Sequence, residues 1–361
     1  MSTAGEEAGE SRLSRGLNRV FRTSMILVPF GVLFNLWISW AATDRSVFRR
    51  FGELDRRYLY LGIVLALLPW ITNTIRILVW ARFIGHPLTF RDCFRITLGA
   101  ELASSVFPTS SGGEVFRWGM MVQKGVTKGE AASIVTLGYL EDLCFFATAL
   151  PAAFIVSRAW ELPVLRRMGR EMRGEASGVL PVVVLTIVAV VALWQGALRG
   201  FLGRRVRWWS LRRAVRTRQR SRKTRQDFRS VFAMVRERGK WRFALTFGVT
   251  AVQWSARYSV ATAVAYFLGA EVDPVLFFLL QWVIFTAMLF VPTPGAAGGA
   301  EAAFYLVYSA LLPASIVGIA TGGWRLLTFY LQLSLGAILF MMMNVADARA
   351  RARAGAPLPR G

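Results

Sequence analysis

Long apolar runs separated by short polar connections make up most of the chain. Six runs are long enough to cross a hydrocarbon core of about 30 Å as helices, at about residues 25–42, 58–84, 130–157, 178–195, 241–268 and 314–345. Two other apolar stretches, 92–124 and 274–312, are interrupted near their middle by proline and glycine. Their arms are too short to cross the core alone, since a helix rises about 1.5 Å per residue. The pattern predicts an all-α polytopic membrane protein with about six full spans and two re-entrant helical hairpins.

The two interrupted stretches carry the same order of residues at their centres. The first reads Pro108-Thr109-Ser110-Ser111-Gly112-Gly113-Glu114, and the second reads Pro294-Gly295-Ala296-Ala297-Gly298-Gly299-Ala300-Glu301. In each copy proline ends a helix, the glycine pair frees the backbone, and glutamate lies where the next helix would begin. Helices broken at matching positions of two halves are typical of transporter binding sites near the middle of the membrane. The alternative is that the glycine pairs only let neighbouring helices pack closely.

The order of predicted elements is the same in two halves of the chain, about 25–157 and 178–345. Each half has two spans, a hairpin and a third span, and together they form one transmembrane domain over residues 25–345. Because three spans cross the membrane an odd number of times, the halves should form an inverted repeat. The two hairpins then enter from opposite sides, and their tips are expected to meet near the middle of the membrane.

Positive charge is concentrated in one segment and so predicts the orientation of the chain. The formal net charge is +23, and residues 197–240 alone carry sixteen basic and two acidic residues. Because cytoplasmic loops are rich in Lys and Arg, this segment, the N-terminal segment 1–24 and the tail 346–361 are expected in the cytoplasm. Segments 43–57 and 158–177, external in this arrangement, each hold five arginines against three acids, but the central segment outweighs them. We expect an integral protein of the plasma (inner) membrane with both termini cytoplasmic.

Composition narrows the function classes further. The chain has two cysteines and one histidine, which excludes a disulfide framework and a Cys/His zinc site, and no cofactor is indicated. The first 24 residues are polar, so no cleavable signal peptide is expected. We interpret the basic segment 197–240, which includes Trp208, Trp209 and Phe228, as a surface for anionic lipid headgroups rather than nucleic acid.

Three arginines lie well inside predicted spans, where a charge usually faces a protein interior or a cavity. Arg76 lies in the second span, Arg257 at the corresponding place in the fifth, and Arg325 in the sixth. No acidic partner for Arg76 or Arg257 is obvious from the sequence, and a guanidinium binds phosphate through two parallel hydrogen bonds. We therefore predict that Arg76 and Arg257 contact a phosphate. For Arg325 an internal ion pair with Glu141 or Asp142 is an equal alternative.

The glutamates of the two motifs allow a structural and a functional interpretation. Ser111-x-x-Glu114 has the spacing of a capping box, in which the glutamate stabilises the start of the returning helix. Glu301 has no Ser or Thr at the matching position, so its cap is less complete and leaves more room for a binding or proton-linked role. Around both glutamates, free backbone N–H groups at a helix start attract an anion.

Further residues around the motifs resemble a known family. Arg117, Gly125-Val126-Thr127 and Ala131-Ala132 follow the first motif ahead of Glu141, and the second motif reads Pro-x-Pro-Gly-x-x-Gly-Gly-x-Glu. This order resembles the lysylphosphatidylglycerol synthase transmembrane region, also called the flippase-like integral membrane family, over about residues 20–345. Full synthases of that family carry a C-terminal soluble domain that transfers lysine from tRNA. The resemblance implies the lipid-translocating part here, without that transfer.

The residues and the resemblance together predict a flippase-like lipid translocase. It would bind a membrane phospholipid or a polyprenyl-phosphate lipid by its headgroup near the middle of the membrane. Two departures from the family bear on which lipid that is: Asp142 stands where arginine is frequent, and Ala296 and Ala297 lie in a stretch often rich in glycine. The predicted headgroup site consists of Asn73, Arg76, Ser111, Gly112, Gly113, Glu114, Arg117, Arg257, Gly298, Gly299, Glu301 and Arg325.

Two alternative functions are open at this point. One is a membrane-embedded glycosyltransferase that uses a lipid-phosphate donor, with an external carboxylate as base. Asp44, Glu53 and Asp55 are the clustered candidates for that base. The other is a non-transporting partner subunit of a lipid-modifying enzyme. We expect no enzymatic activity of the chain itself, because the sequence has no clear catalytic constellation.

Overall fold

The computed structural model describes residues 54–106, 111–161, 214–291 and 293–353. Over these ranges the chain is helical and contains no strand, as the hydrophobic pattern predicts. The helices are α1 (Arg56–Phe83), α2 (Phe90–Val106), α3 (Ser111–Gln123), α4 (Lys128–Val156), α5 (Ala214–Arg238), α6 (Lys240–Phe267), α7 (Pro274–Met288), α8 (Gly299–Tyr308), α9 (Ala314–Arg325) and α10 (Leu331–Arg353). Short 3₁₀ turns lie at Ala159–Glu161 and Pro294–Ala296, and a π-helical turn at Leu326–Tyr330 joins α9 to α10.

Three helical stretches in these ranges are long and apolar enough to cross a membrane. They are α1, α4 and the continuous α9–α10 unit up to Asp347, and they coincide with three of the predicted spans. The helix α6 is as long as α1, with 28 residues, but is more polar because Gln253 and Arg257 interrupt its apolar sequence. The predicted spans at 25–42 and 178–195 lie outside the described residues. The prediction of an all-helical membrane protein is therefore confirmed, while the number of six spans stays a prediction.

Two helical hairpins form where the Pro/Gly motifs interrupt the apolar sequence. The arms α2 and α3 pack against each other, as do α7 and α8. These arms are 10 to 17 residues long, which corresponds to roughly 15–26 Å at 1.5 Å per residue. Each arm is thus shorter than a hydrocarbon core of about 30 Å. The helical hairpins are present as predicted, and their re-entrance into a membrane stays a prediction.

Contacts between helix ends place the open ends of the hairpins at opposite ends of the bundle. The rings of Tyr58, at the start of α1, and Tyr266, at the end of α6, are 5.2 Å apart, so these two packed helices are antiparallel. The helix α7 begins near that end. The helix α2 begins at the other end, beside the end of α10, where Arg91 and Arg95 pair with Asp347 at 2.8 and 2.5 Å. The arm α2 also packs against the 3₁₀ turn of the second hairpin.

Each hairpin packs into its own apolar core. The first core joins α1, the first hairpin and α4 through buried side chains such as Trp80 and Met121. The second core joins α6, the second hairpin and α9 through side chains such as Phe277, Phe304 and Trp324. Because α1 and α6 pack along each other, they connect the two cores. Polar residues on these two helices therefore lie where the two halves of the chain meet.

Local sequence signals explain where the connecting helices begin. Thr127 and Glu130 form a capping box at the start of α4, so the turn after the first hairpin is defined by the chain itself. At the start of α7, Asp273 accepts hydrogen bonds from Val275 N and Leu276 N, and Pro274 occupies the first helical position. These caps fix where α4 begins after the first hairpin and where α7 begins the second hairpin.

Candidate functional site

Arg76, on α1, is enclosed by protein partners on two other helices, α4 and α6. Its Nε donates to Glu141 Oε2 at 2.8 Å, and its Nη2 donates to the Gly138 carbonyl at 2.7 Å. Nη2 also lies 3.1 Å from Asp142 Oδ1, and Nη1 donates to Gln253 Oε1 at 3.2 Å. Every guanidinium nitrogen thus has a partner, and only 7% of the side chain is exposed. In this state Arg76 cross-links α1, α4 and α6.

Glu141 is the centre of this network. Its side chain is fully buried. One carboxylate oxygen accepts from Trp80 Nε1 at 2.8 Å and from Thr246 Oγ1 at 2.5 Å. The other accepts from Arg76 Nε at 2.8 Å and from Thr250 Oγ1 at 3.4 Å. A buried carboxylate is tolerated when it is both paired and hydrogen-bonded, and Glu141 meets both conditions.

Neighbouring polar contacts join the matching helices α1 and α6. Thr72 Oγ1 lies 3.5 Å from Gln253 Oε1, which also accepts from Arg76. Trp254 Nε1 donates to Asp142 Oδ1 at 3.0 Å and so ties α6 to α4. Each half of the chain therefore contributes side chains to one shared polar layer.

The ion pairs correct two inferences made from sequence. An acidic partner for Arg76 is not evident along the chain, yet α4 supplies two on consecutive residues, Glu141 and Asp142. Arg325 does not pair with either of them. Its Nε donates instead to Glu301 Oε1 at 2.9 Å, because α9 packs against α8, the returning arm of the second hairpin.

Glu301 and Arg325 hold the tip of the second hairpin in place. Glu301 Oε2 accepts from Gly298 N at 2.8 Å, which is the glutamate half of a capping box, while Oε1 pairs with Arg325. Arg325 also donates from Nη2 to the Gly295 carbonyl and lies 4.2 Å above the ring of Phe329 in the π-helical turn. Both oxygens of Glu301 are therefore engaged, which leaves less room for a further role than the sequence indicates.

Arg257 has a looser environment than the other two arginines. Its Nη2 lies 3.6 Å from Glu101 Oε2, and its guanidinium lies 5.7 Å from the ring of Trp254 and 5.9 Å from that of Phe285. The side chains of Arg257 and Glu101 are 21% and 25% exposed. This ion pair between α6 and α2 is therefore longer and more exposed than the pairs of Arg76 and Arg325.

A second ion pair lies on the returning arm of the first hairpin. Glu114 pairs with Arg117 at 2.9 Å, one helical turn apart on α3. Glu114 is also within electrostatic range of Glu101, Asp142 and Arg76. Around the first hairpin four carboxylates thus stand against three arginines, namely Glu101, Glu114, Glu141 and Asp142 against Arg76, Arg117 and Arg257. An anion can enter this cluster only if a carboxylate gives up its arginine.

The first Gly pair lies where the arms of its hairpin approach most closely. A Cβ on Gly113 would lie 1.9 Å from Ser104 Oγ and 2.6 Å from the Ala100 carbonyl oxygen, so glycine is required there for packing. Gly112 precedes it in the first turn of α3. Residues 107–110 and the side chain of Ser111 lie outside the described part of the chain, so the predicted capping box of Glu114 stays a prediction.

The second Gly motif needs glycine for both conformation and space. Gly295 and Gly298 have φ angles of 60° and 82°, in the left-handed region that favours glycine. A Cβ on Gly299 would lie 2.5 Å from Val291 Cγ2. The packing interpretation of the glycine pairs is thus supported at Gly113 and Gly299, and it does not exclude a binding role for the same tips.

The structure adds residues that sequence reasoning did not select. Glu101, Gln253 and Trp254 each touch one of the deep arginines or its partner. Glu101 could have been selected from the sequence. An acidic residue in an apolar helix just before the first motif costs free energy in a membrane unless it is paired or functional. Asn73, which was selected, is buried within α1. In the described ranges no group of three or more His, Cys, Asp or Glu residues is placed to hold a metal ion.

Comparison with known proteins identifies the family. The profile of the family described as "Lysylphosphatidylglycerol synthase TM region" matches residues 25–336, a range that includes every predicted site residue. A UPF0104 membrane protein of Archaeoglobus fulgidus is 25% identical over 283 residues, which cover 74% of this chain and 81% of that relative. These matches and the long apolar helices identify an integral membrane protein, and the chain belongs to the lysylphosphatidylglycerol synthase transmembrane-region family.

Proposed function

We propose that this protein is a flippase-like lipid translocase of the plasma (inner) membrane. The observation that carries the proposal is that two short helical hairpins open at opposite ends of the bundle, with α2 packed on the turn of the second. Broken helices opposed in this way are typical of alternating-access transporters, whose binding sites lie between them. The ligand would be a phospholipid or polyprenyl-phosphate lipid, held by its phosphate.

Within this proposal the two matched arginines have different roles. Arg76 is saturated by Glu141, Asp142 and other protein groups, and so serves as a strut between helices. Arg257 has a distant partner and an accessible guanidinium, and so serves as the phosphate contact. Arg117, paired on one side with Glu114, lies on the neighbouring arm as a second basic group.

The proposed movement follows from the pairing of the two halves. The halves would form an inverted repeat whose common axis runs between α1 and α6, the helices that pack along each other. Rocking about that contact would open the polar layer first to one leaflet and then to the other. The headgroup would cross the membrane along the polar layer, while the acyl or polyprenyl tails stay in the lipid.

The hydrogen bonding of one candidate base favours transport over the enzymatic alternative. Of the three external carboxylates, Asp55 caps α1 by accepting from Arg57 N at 2.9 Å. Asp44 and Glu53 lie outside the described residues. A carboxylate used as a helix cap has a structural role already.

Changing Arg257 to Gln is expected to weaken binding of an anionic phospholipid while leaving the protein inserted. Loss of hydrogen bonds to a charged group costs about 1.5–3 kcal/mol, or roughly tenfold to a hundredfold in affinity. Arg257→Lys should restore part of the binding, because it keeps the charge and loses the paired N–H groups. Native mass spectrometry from lipid nanodiscs measures the bound fraction.

The matched control for this prediction is Arg82→Gln, which removes one exposed arginine at the end of α1. Its lipid binding should equal that of the unchanged protein. If Arg257→Gln also binds the headgroup as well as the unchanged protein, Arg257 is not part of the site.

The orientation is tested by single-cysteine labelling. Arg220 lies in α5, the helical part of the basic segment, and Glu271 lies between α6 and α7. With Cys93 and Cys144 replaced by alanine, a membrane-impermeant maleimide should reach a cysteine at 271 from outside and one at 220 only from the cytoplasm. Labelling of both positions from the same side would contradict the inverted arrangement.

A further inference from the structure

We propose that Glu101 is an internal stand-in for the lipid phosphate, which displaces it from Arg257. This inference rests on the proposed function and adds to it an internal anion that competes with the lipid. The exchange breaks the ion pair between Glu101 and Arg257 and forms a new one between Arg257 and the phosphate. No covalent bond of the lipid changes.

Geometry distinguishes this pair from the other interior pairs. Glu101 and Arg257 are 3.6 Å apart, whereas Arg76–Glu141 and Arg325–Glu301 are 2.8 and 2.9 Å apart. The acids of those tighter pairs also accept other hydrogen bonds, as shown for Glu141 from Trp80 and for Glu301 from Gly298. The Glu101–Arg257 pair is thus the weakest of the three and the easiest to exchange.

Two aromatic rings keep Arg257 in place when its carboxylate leaves. Its guanidinium lies near the rings of Trp254 and Phe285, at 5.7 and 5.9 Å, within the range in which a cation is attracted to an aromatic face. Trp254 is itself oriented by its hydrogen bond to Asp142. These ring contacts do not depend on Glu101, so the arginine keeps them while its anionic partner changes.

The other basic groups on the elements packed against α2 are already paired, so Arg257 is the available partner of Glu101. On α3, Arg117 is paired with Glu114. On α1, Arg76 is saturated by α4. On α10, Asp347 lies at the far end of α2, paired with Arg91 and Arg95. The turn of the second hairpin that touches α2, Pro294–Ala296, carries no charged side chain.

The test uses the full-length protein in phosphatidylcholine nanodiscs with a fluorescent phosphatidylglycerol as probe. Glu101→Gln, which cannot compete for Arg257, should bind the probe about fivefold or more tightly than the unchanged protein, as expected when a coupling between two ligands is removed. Glu101→Asp, with a shorter carboxylate, should lie between the two.

The control is Glu271→Gln, which removes one exposed acid away from the cluster and should bind like the unchanged protein. Inorganic phosphate added as competitor distinguishes the source of the ligand chemistry. Competition by it supports an exchange open to any phosphate, and tighter binding by Glu101→Gln without such competition supports an exchange specific to the lipid.

Two results separate the inference from the function on which it rests. If the unchanged protein and Arg257→Gln bind the probe equally, the proposed function fails together with the exchange. If Arg257→Gln loses binding but Glu101→Gln binds like the unchanged protein, the exchange is overturned and the function stands. If Glu101→Gln fails to insert, Glu101→Asp decides: tighter binding than the unchanged protein supports the exchange, and equal binding overturns it.

Discussion

Replacing Glu141 by alanine is expected to destabilise the protein by about 3–5 kcal/mol, the cost of breaking a buried ion pair from one side. The change removes the acceptor of Arg76 Nε and leaves Trp80 Nε1 and Thr246 Oγ1 without the carboxylate that they contact at 2.8 and 2.5 Å. These donors come from α1 and α6, so the contact between the two halves weakens. Unfolding in mixed micelles by detergent titration, followed by tryptophan fluorescence, measures the loss.

Two variants give this prediction its controls. Glu237→Ala removes an exposed acid of α5 and should leave the unfolding curve unchanged. The double variant Arg76→Met with Glu141→Leu should regain part of the stability, because an apolar pair avoids an uncompensated buried charge. Wild-type stability of Glu141→Ala would show that the network has no structural role and would reopen Arg76 as a ligand contact.

Placing leucine at Gly113 is expected to abolish lipid transport. Even a Cβ at this position would lie 1.9 Å from Ser104 Oγ and 2.6 Å from the backbone oxygen of Ala100. The backbone oxygen cannot rotate away, so the arms α2 and α3 must separate and shift Glu101 and Glu114 with them. Overpacking of this kind costs about 1–3 kcal/mol and occasionally more. Translocation of a fluorescent phospholipid in proteoliposomes, scored by quencher access, measures the effect.

The matched control lies on the same helix. A Cβ on Gly119 meets no atom within 4 Å, so Gly119→Leu should transport normally. Gly62, in the middle of an ordinary span, is unsuitable as a control because its Cβ would lie 3.0 Å from Leu327 Cδ1. Equal transport by Gly113→Leu and Gly119→Leu would falsify the idea that the close approach of the arms matters for function.

Sequence alone determined the features that depend on local properties of the chain. Run length predicted the helices now seen at Arg56–Phe83 and Lys128–Val156, since a long apolar run cannot satisfy its backbone in lipid except as a helix. Proline and paired glycine predicted the breaks between α2 and α3 and between α7 and α8, because both residues act on the backbone where they stand. The same local motifs, in order, predicted the family.

Only the tertiary structure decided which charges face each other. Arg76 and Arg257 occupy matching places in two antiparallel helices and are indistinguishable by sequence. One faces Glu141, 65 residues away, inside a saturated network, and the other faces Glu101 across a loose and accessible contact. An ion pair between distant residues depends on how helices pack, and no property of the local sequence reports that packing. For the same reason Glu101 became a candidate only when its carboxylate on α2 was seen beside Arg257 of α6.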